Sequence, residues 1–174
     1  QMRLDRILKG SGCLFDKKDG AIEVSSICCD PRKVSYGSLF VAIKGYASDG
    51  HYYIATAIGK GARVIVFEDT AAFENATAAL DMEGIVAIKA ESTRYAMAII
   101  AANFYDNPSH KLTLVGITGT NGKTTTVTLL HRMFTAMGYN CGLLSTIANY
   151  VGTKGTEAIN TTSDPLTINS LLAE

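Results

Sequence analysis

Apolar positions in the first part of the chain form short runs that are separated by segments with helical spacing. Residues 51–60 predict one helix, and Ser92 is placed to cap a second helix that continues to Phe104. Strands that alternate with helices predict an α/β domain. The uninterrupted apolar runs that predict its buried strands are residues 39–43, 64–67 and 85–88.

The pattern changes near residue 108. Residues 106–109 have the sequence Asp-Asn-Pro-Ser, which is typical of a turn or linker. Residues 1–108 contain 12 basic and 13 acidic residues, whereas residues 109–174 contain 4 basic and 3 acidic residues. We therefore predict two domains, residues 1–108 and residues 109–174.

The second part of the chain carries a strand and helix pattern of its own. Residues 112–117 predict a strand, residues 123–137 predict a long helix, and residues 141–144 predict another strand. This order is typical of the opening βαβ unit of a parallel sheet. Residues 163–165 (Ser-Asp-Pro) predict the cap and first-turn proline of a further helix. Because that helix is expected to reach the last residue, we expect the chain to be a fragment of a longer protein.

Composition and charge exclude several classes of protein. Hydrophobic residues make up 47% and charged residues 18%, which is the balance of a folded chain and excludes disorder. The formal net charge is zero, so the sequence predicts neither a nucleic-acid partner nor a membrane anchor. Residues 133–153 lack charge but contain too many polar residues and glycines to span a bilayer. The four cysteines lack the spacing of a zinc site and predict reduced thiols in a cytoplasmic protein.

A glycine-rich segment between the predicted strand and helix indicates phosphate chemistry. Residues 116–126 have the sequence Gly-Ile-Thr-Gly-Thr-Asn-Gly-Lys-Thr-Thr-Thr, which resembles a P-loop. Backbone N–H groups of such a loop and the N-terminus of the following helix attract phosphate oxygens. Lys123 is placed to reach the β- and γ-phosphates, and the hydroxyl of Thr124 is placed to bind Mg²⁺. Ile117 stands where the strict pattern has glycine, so the match is to the core of the motif.

Three motifs together resemble the Mur ligase family. Residues 119–124 have its Gly-Thr-Asn-Gly-Lys-Thr core, and residues 160–162 (Asn-Thr-Thr) resemble the substrate segment of the member that adds the third amino acid of the cell-wall peptide. Residues 30–51 resemble the family's signature of a UDP-binding domain, in which Asp-Ser-Arg, Gly-x-Leu-Phe-Val-Ala and Asp-Gly-His follow one another. The resemblance covers essentially the whole chain. It implies a UDP-binding α/β domain followed by the start of a P-loop parallel-sheet domain that binds ATP.

The resemblance implies an ATP-dependent amide ligase of peptidoglycan synthesis. ATP phosphorylates the D-glutamate carboxylate of UDP-N-acetylmuramoyl-L-alanyl-D-glutamate, and the amine of meso-diaminopimelate or L-lysine then attacks the acyl phosphate. The expected cofactors are ATP and Mg²⁺, with Lys123 as the catalytic cation and Thr124 as the metal ligand. The implied enzyme is cytoplasmic and monomeric, and we expect residues 1–174 alone to be inactive.

The family's contacts map onto two sets of residues in this sequence. Pro31 replaces the serine of the family's Asp-Ser-Arg motif, so it lacks both the hydroxyl and the backbone N–H that the serine supplies. Arg32 is interpreted as a partner of Asp30, and His51 as part of a turn without a catalytic role. The expected ATP-binding residues are Gly119, Thr120, Asn121, Gly122, Lys123, Thr124 and Thr125, and the expected UDP-muramoyl-binding residues are Cys29, Pro31, Tyr46, Ala47, Ser48, Asn160, Thr161 and Thr162.

Three alternatives remain open at this point. The sister ligase that adds the D-alanyl-D-alanine dipeptide shares the signature of residues 30–51, although its loop is usually less similar. A nucleotide-dependent regulatory module uses the same type of loop, although the sequence lacks the Asn-Lys-x-Asp motif by which GTPases bind guanine. The third alternative is a scaffold that only binds a UDP-sugar.

Overall fold

A computed structural model describes residues 1–45, 48–152, 154–157 and 164–174. The chain divides into two compact units, Gln1–Asp106 and Asn107–Glu174. The segment 106–109, which the sequence indicated as a turn or linker, spans the point where one unit ends and the other begins. The two units are described separately below.

The first unit contains two sheets. Strand β1 (Met2–Arg3) pairs antiparallel with β2 (Glu23–Val24). The larger sheet has the order β3-β4-β5-β6, and every neighbouring pair is parallel. Because parallel strands point the same way, the carboxyl ends of these four strands lie along one edge of the sheet. The four strands are β3 (Ile27–Cys28), β4 (Leu39–Val41), β5 (Val64–Phe67) and β6 (Val86–Lys89).

Four α-helices accompany these sheets in the described part of the first unit. The helix predicted over residues 51–60 is a 3₁₀ turn, Gly50–Tyr53, that continues into an α-helix. The helix predicted from Ser92 is confirmed, and the Ser92 hydroxyl accepts a hydrogen bond from the Tyr95 N–H at 3.3 Å. The helices are α1 (Leu4–Ile7), α2 (Ile54–Gly59), α3 (Thr70–Thr77) and α4 (Thr93–Phe104).

The core of the first unit lies around the two central strands. All residues of β4 and β5 are buried, as the apolar runs predict. Phe40 and Ile65 pack with Ile54 of α2 in one cluster, and the rings of Phe67 and Phe73 stack with centroids 4.1 Å apart. Helix α4 buries one stripe at helical spacing and contacts helix α1. The stripe consists of Thr93, Ala96, Met97, Ile100 and Ala101.

The second unit contains two helices and an antiparallel sheet. Strands β7 (Gly142–Leu144), β8 (Ala148–Val151) and β9 (Lys154–Glu157) pair in the order β7-β8-β9. Helix α5 (Lys123–Ala136) agrees with the predicted long helix, and Gly138 follows it with φ of +88°. Helix α6 (Pro165–Ala173) begins as predicted with a first-turn proline, and the Asp164 carboxylate accepts hydrogen bonds from the N–H groups of Leu166 and Thr167.

The prediction of a parallel βαβ unit in the second unit is wrong for the described residues. Residues 113–118 form no regular secondary structure, although residues 112–117 predict a strand. The next strand, β7, pairs antiparallel with β8 because only three residues connect them, a length that permits a hairpin but no parallel crossover. A parallel strand is held by hydrogen bonds to its neighbours, and no described strand pairs with residues 113–118. The side chains of Leu114 and Val115 are consequently exposed.

No helix within the described residues has the length and apolar character needed to cross a membrane.

Candidate functional site

The glycine-rich segment forms a turn that leads into α5. Gly122 is the N-cap residue of this helix and has φ of +79°, and Gly119 has φ of +146°. Both angles lie in the region that residues with a Cβ rarely adopt, which explains glycine at these two positions. The first helical residues are Lys123 and Thr124, so their side chains and the free N–H groups of the first turn lie at the same end of the helix.

Lys123 folds back over its own loop. Its ammonium group donates hydrogen bonds to the carbonyl oxygens of Gly119 and Thr120, the second at 3.4 Å. The loop therefore surrounds a positive charge at the N-terminus of α5. This charge and the helix dipole both favour an anion such as phosphate.

The three threonines after Lys123 have different surroundings. The Thr126 hydroxyl donates to the carbonyl oxygen of Gly122 at 2.9 Å, so it is engaged within the helix. The Thr124 hydroxyl lies 3.3 Å from the hydroxyl of Thr146, which belongs to the turn between β7 and β8. Thr125 is exposed. Thr146 was not predicted, because its contact with the loop joins residues far apart in the sequence.

One side chain at this loop fits a magnesium ion. Mg²⁺ prefers oxygen ligands and usually keeps several waters while it bridges a protein oxygen and substrate phosphates. Thr124 supplies such an oxygen at the start of α5. The described residues contain no group of three or more His, Cys, Asp or Glu side chains that could hold a metal ion.

The predicted substrate residues of the first unit begin at the carboxyl end of β3. Cys29 follows this strand directly, and Pro31 is the first residue of a 3₁₀ turn, Pro31–Lys33. The Asp30 carboxylate caps this turn by accepting a hydrogen bond from the Arg32 N–H at 2.9 Å. A proline suits this position because its missing N–H has no partner within such a turn. The Pro31 carbonyl oxygen accepts from the Lys60 ammonium at 3.0 Å.

Arg32 pairs with Asp30, as the sequence indicated. The Arg32 Nε and Nη2 atoms lie 3.0 and 2.8 Å from the Oδ1 and Oδ2 atoms of Asp30. These side-chain hydrogen bonds, together with the backbone hydrogen bond from Arg32, lower the pKa of Asp30 to about 2. The adjacent thiol of Cys28 is buried, and burial raises its pKa to about 11, which makes it a poor nucleophile.

The second predicted substrate segment follows β4. Tyr46 and Ala47 lie outside the described residues, as do Asn160, Thr161 and Thr162 of the other predicted segment. Ser48 is exposed, and its carbonyl oxygen accepts a hydrogen bond from the Gly45 N–H at 2.9 Å. Parallel pairing of β3 with β4 brings Ser48 to the same edge of the sheet as Cys29 and Pro31.

The Asp-Gly-His motif closes this loop. The Gly50 N–H donates to the carbonyl oxygen of Ile43 at 2.9 Å, and a Cβ at Gly50 would lie 2.6 Å from the Ile43 nitrogen. Only glycine permits this approach. Asp49 caps the following 3₁₀ turn, and its carboxylate lies 2.6 Å from Nδ1 of His51.

A shallow cleft of about 540 Å³ adjoins this region at the carboxyl ends of β4, β5 and β6. Two lysines, Lys44 and Lys89, contribute positive charge, and the sequence offered no motif that would single them out. The other lining residues are Glu68, Asp69, Thr70, Ala71 and Glu91.

Comparison with known families matches both units. Residues 23–105 match the family described as "Mur ligase family, catalytic domain", and residues 117–174 match the "Mur ligase middle domain". The chain belongs to the Mur ligase family. This confirms the resemblance that the three sequence motifs indicated. The loop Gly119–Thr124 lies within the middle-domain match, and the turn at Pro31 lies within the catalytic-domain match.

A curated Mur ligase relative shows how much of such a protein the chain represents. The UDP-N-acetylmuramoyl-L-alanyl-D-glutamate–2,6-diaminopimelate ligase of Cytophaga hutchinsonii is 47% identical over 153 residues, which are 88% of this chain and 30% of the relative. The chain thus spans about a third of the length of the curated relatives that it matches.

Solved Mur ligase structures confirm the α/β fold class. A structure titled as UDP-N-acetylmuramoyl-L-alanyl-D-glutamate–2,6-diaminopimelate ligase aligns with a TM-score of 0.67 and 19% identity, over 99% of this chain and 33% of that chain. The MurF ligase from Thermotoga maritima in complex with ADP aligns with a TM-score of 0.52 and 26% identity, over 83% of this chain and 28% of that chain.

Proposed function

We propose that the protein containing this chain is the ATP-dependent ligase that joins 2,6-diaminopimelate to UDP-N-acetylmuramoyl-L-alanyl-D-glutamate in peptidoglycan synthesis. The observation that carries the proposal is the loop Gly119–Lys123, whose two positive-φ glycines expose backbone N–H groups and a lysine at the start of α5. The names of curated relatives at 41–47% identity supply the choice of reaction and amino acid. These names do not favour the sister ligase.

The proposed role of the second unit is to bind ATP. Lys123 leaves the carbonyl oxygens of Gly119 and Thr120 and neutralises charge on the transferring phosphoryl group. The N–H groups of Gly122, Lys123 and Thr124 hold the phosphate oxygens, with Thr120, Asn121 and Thr125 completing the loop. Thr124 binds Mg²⁺, which withdraws electron density from the phosphate oxygens when it is present.

The proposed role of the first unit is to hold the UDP-muramoyl dipeptide. Cys29, Pro31 and Ser48 line the edge of the sheet where parallel strands end, the usual position of ligands in such folds. Tyr46 and Ala47 of the same loop complete the proposed set of the first unit. Asn160, Thr161 and Thr162 belong to the second unit and are proposed as substrate contacts on the strength of the sequence motif alone. We place the enzyme in the cytoplasm, because it needs ATP and its composition predicts reduced thiols. The monomeric state is proposed from the family resemblance alone.

A direct assay of the reaction tests this proposal. The protein containing this chain is incubated with ATP, Mg²⁺ and UDP-N-acetylmuramoyl-L-alanyl-D-glutamate, and phosphate release is followed with diaminopimelate, L-lysine or D-alanyl-D-alanine as the added amine. We expect release that requires the muramoyl dipeptide and is fastest with diaminopimelate. Phosphate release that does not depend on the muramoyl dipeptide would instead support a nucleotide-dependent regulatory module.

Residues 1–174 provide the matched control. They contain the loop and the proposed UDP site but span about a third of the length of the relatives. We expect no ligase turnover from these residues alone. Turnover at an ordinary enzyme rate of about 1–1,000 per second would show that they hold a complete site, and the expectation that residues 1–174 alone are inactive would be wrong.

A further inference from the structure

His51 is a buried polar side chain that the proposed reaction does not use. Its ring is fully buried, and both nitrogens have partners. Nε2 lies 3.2 Å from the backbone nitrogens of Glu68 and Asp69, which follow β5 directly. Nδ1 lies 2.6 Å from the Asp49 carboxylate, which belongs to the loop after β4. One imidazole thus connects the segments that follow two neighbouring strands.

The partners of His51 determine which nitrogen carries hydrogen. The N–H groups of Glu68 and Asp69 can only donate, so Nε2 accepts from both. The Asp49 carboxylate accepts, so Nδ1 carries the proton and donates it. The ring therefore acts as an acceptor at one end and a donor at the other. Neither asparagine nor glutamine can make the hydrogen bonds of both ring nitrogens. The amide of asparagine reaches only the position of Nδ1, and the amide of glutamine reaches only the position of Nε2.

Further hydrogen bonds link the segment after β5 to the start of α4. The Glu68 carboxylate accepts hydrogen bonds from the N–H and hydroxyl of Thr93 at 2.8 and 3.1 Å, at the start of α4. Arg94 of the same helix donates to the carbonyl oxygen of Lys44 at 3.0 Å, and Lys44 precedes Ser48 in the loop after β4. The loop after β4 is therefore held at its exit through His51 and at its entrance through Arg94.

We propose that His51 is a positioning residue that fixes the exit of the loop carrying Ser48, and so sets the affinity for the UDP-muramoyl substrate. The ring lies beneath the surface and does not touch substrate. Its effect passes through Asp49, which is adjacent to Ser48, while the N–H groups of Glu68 and Asp69 anchor the ring to β5. The inference rests on the proposed function, since it takes Ser48 as a substrate contact.

Two substitutions distinguish the hydrogen bonds at Nε2 from the hydrogen bond at Nδ1. His51→Asn keeps a donor toward Asp49 but leaves the two N–H groups after β5 without an acceptor. His51→Gln keeps an acceptor for those N–H groups but loses the donor toward Asp49. Binding of UDP-N-acetylmuramoyl-L-alanyl-D-glutamate and of Mg²⁺·ATP is measured by calorimetry on the protein containing this chain. We expect about tenfold weaker muramoyl binding in each variant and unchanged ATP binding.

The exposed His110, substituted as His110→Asn, is the matched control and should bind both ligands normally. Equal losses for both ligands would mean that His51 only supports the fold, and the inference would be wrong. Unchanged muramoyl binding in both variants would also overturn it. A wild-type protein that binds no muramoyl dipeptide would instead refute the proposed function itself.

A measurement on the wild type keeps the inference testable if the variants do not fold. Nitrogen-15 chemical shifts of His51 distinguish the two neutral tautomers. We expect hydrogen on Nδ1 and slow exchange of the Glu68 and Asp69 amides. Hydrogen on Nε2 would contradict the arrangement on which the positioning role depends.

Discussion

The two units of the chain use similar local signals but differ in how much of their surface they bury. In the first unit, β4 and β5 are wholly buried and α4 buries five of its twelve residues. In the second unit, the 14-residue helix α5 buries none, and Leu129 and Met133 on it are exposed. Helix α6 likewise has no buried residue.

The difference shows which features a short segment can form by itself. The turn at Gly119 and Gly122 depends on two glycine conformations and the start of one helix, so it forms in a unit with little core. A parallel sheet depends on neighbours that are distant in sequence, so residues 113–118 remain irregular although the apolar pattern of residues 112–117 predicts a strand. The conformation of the glycine-rich loop and the completion of a parallel sheet are therefore separable in this chain.

Core substitutions give the largest expected contrast between the units. Phe40→Ala in the 174-residue chain removes a fully buried ring from β4 and should cost about 3–5 kcal/mol of unfolding free energy. Leu129→Ala on α5 removes a side chain that is 60% exposed and should change the free energy of unfolding by about 0.5 kcal/mol or less. Urea denaturation of both variants measures the difference, and similar losses would mean that α5 packs against a core after all.

The glycine-rich loop of the second unit gives the next largest expected effect. A substitution there should change the reaction rate strongly, although the helix that follows the loop has no buried residue. Lys123→Ala in the protein containing this chain should lower the rate of phosphate release at least about a hundredfold, or about 2.7 kcal/mol, because the lost charge meets the transition state. The melting temperature should stay near that of the wild type. Arg132→Ala removes an exposed charge from the same helix and should have little effect on rate. A nearly normal rate for Lys123→Ala would refute the assignment of the loop.

Pro31 tests whether the first unit binds its substrate as the family motif implies. Pro31→Ser adds a hydroxyl and a backbone N–H beside Cys29 and should tighten binding of the UDP-muramoyl dipeptide several-fold, less than the roughly 1.5–3 kcal/mol of a full charge-assisted hydrogen bond. Added backbone freedom of the unbound turn offsets part of the gain. Pro31→Ala supplies the N–H alone, so it distinguishes the contribution of the N–H from that of the hydroxyl. Calorimetry that shows unchanged or weaker binding for Pro31→Ser would mean that this turn does not contact the pyrophosphate.

The smallest expected effect concerns two capping carboxylates, one in each unit. Hydrogen bonds from Arg32 lower the pKa of Asp30 from 3.8 to about 2. Burial raises the pKa of Asp164, but hydrogen bonds from Thr167 and Leu166 outweigh it and leave that pKa lowered as well. Because the folded pKa of Asp30 lies below its unfolded value, its stabilisation is complete above about pH 4 and is lost as the pH falls through about 2. Carboxyl NMR titration of Arg32→Gln should show a raised pKa for Asp30 and an unchanged pKa for Asp164. An unchanged pKa for Asp30 would exclude the guanidinium as the cause.

The sequence predicted those features that depend on neighbouring residues. The apolar run 64–67 is β5, Ser92 caps α4, and the glycine-rich segment precedes α5. Helix α3 was not predicted, because its sequence has no strong apolar stripe and none of its residues is buried. The contacts of His51 with Glu68 and of Thr124 with Thr146 were not predictable either, since each depends on how separate strands are arranged.

The position of the Lys123 ammonium on the carbonyl oxygens of Gly119 and Thr120 has a consequence for the kinetics of nucleotide binding. The side chain occupies its own loop and competes with any cation that would enter there alone. Reorientation of an exposed side chain takes picoseconds to nanoseconds, which is far shorter than the interval between productive encounters with a nucleotide. Release of the ammonium is therefore a rapid pre-equilibrium that adds no slow phase to binding, and under the proposed function it scales the apparent affinity for a nucleotide by the fraction of molecules in which the ammonium is free.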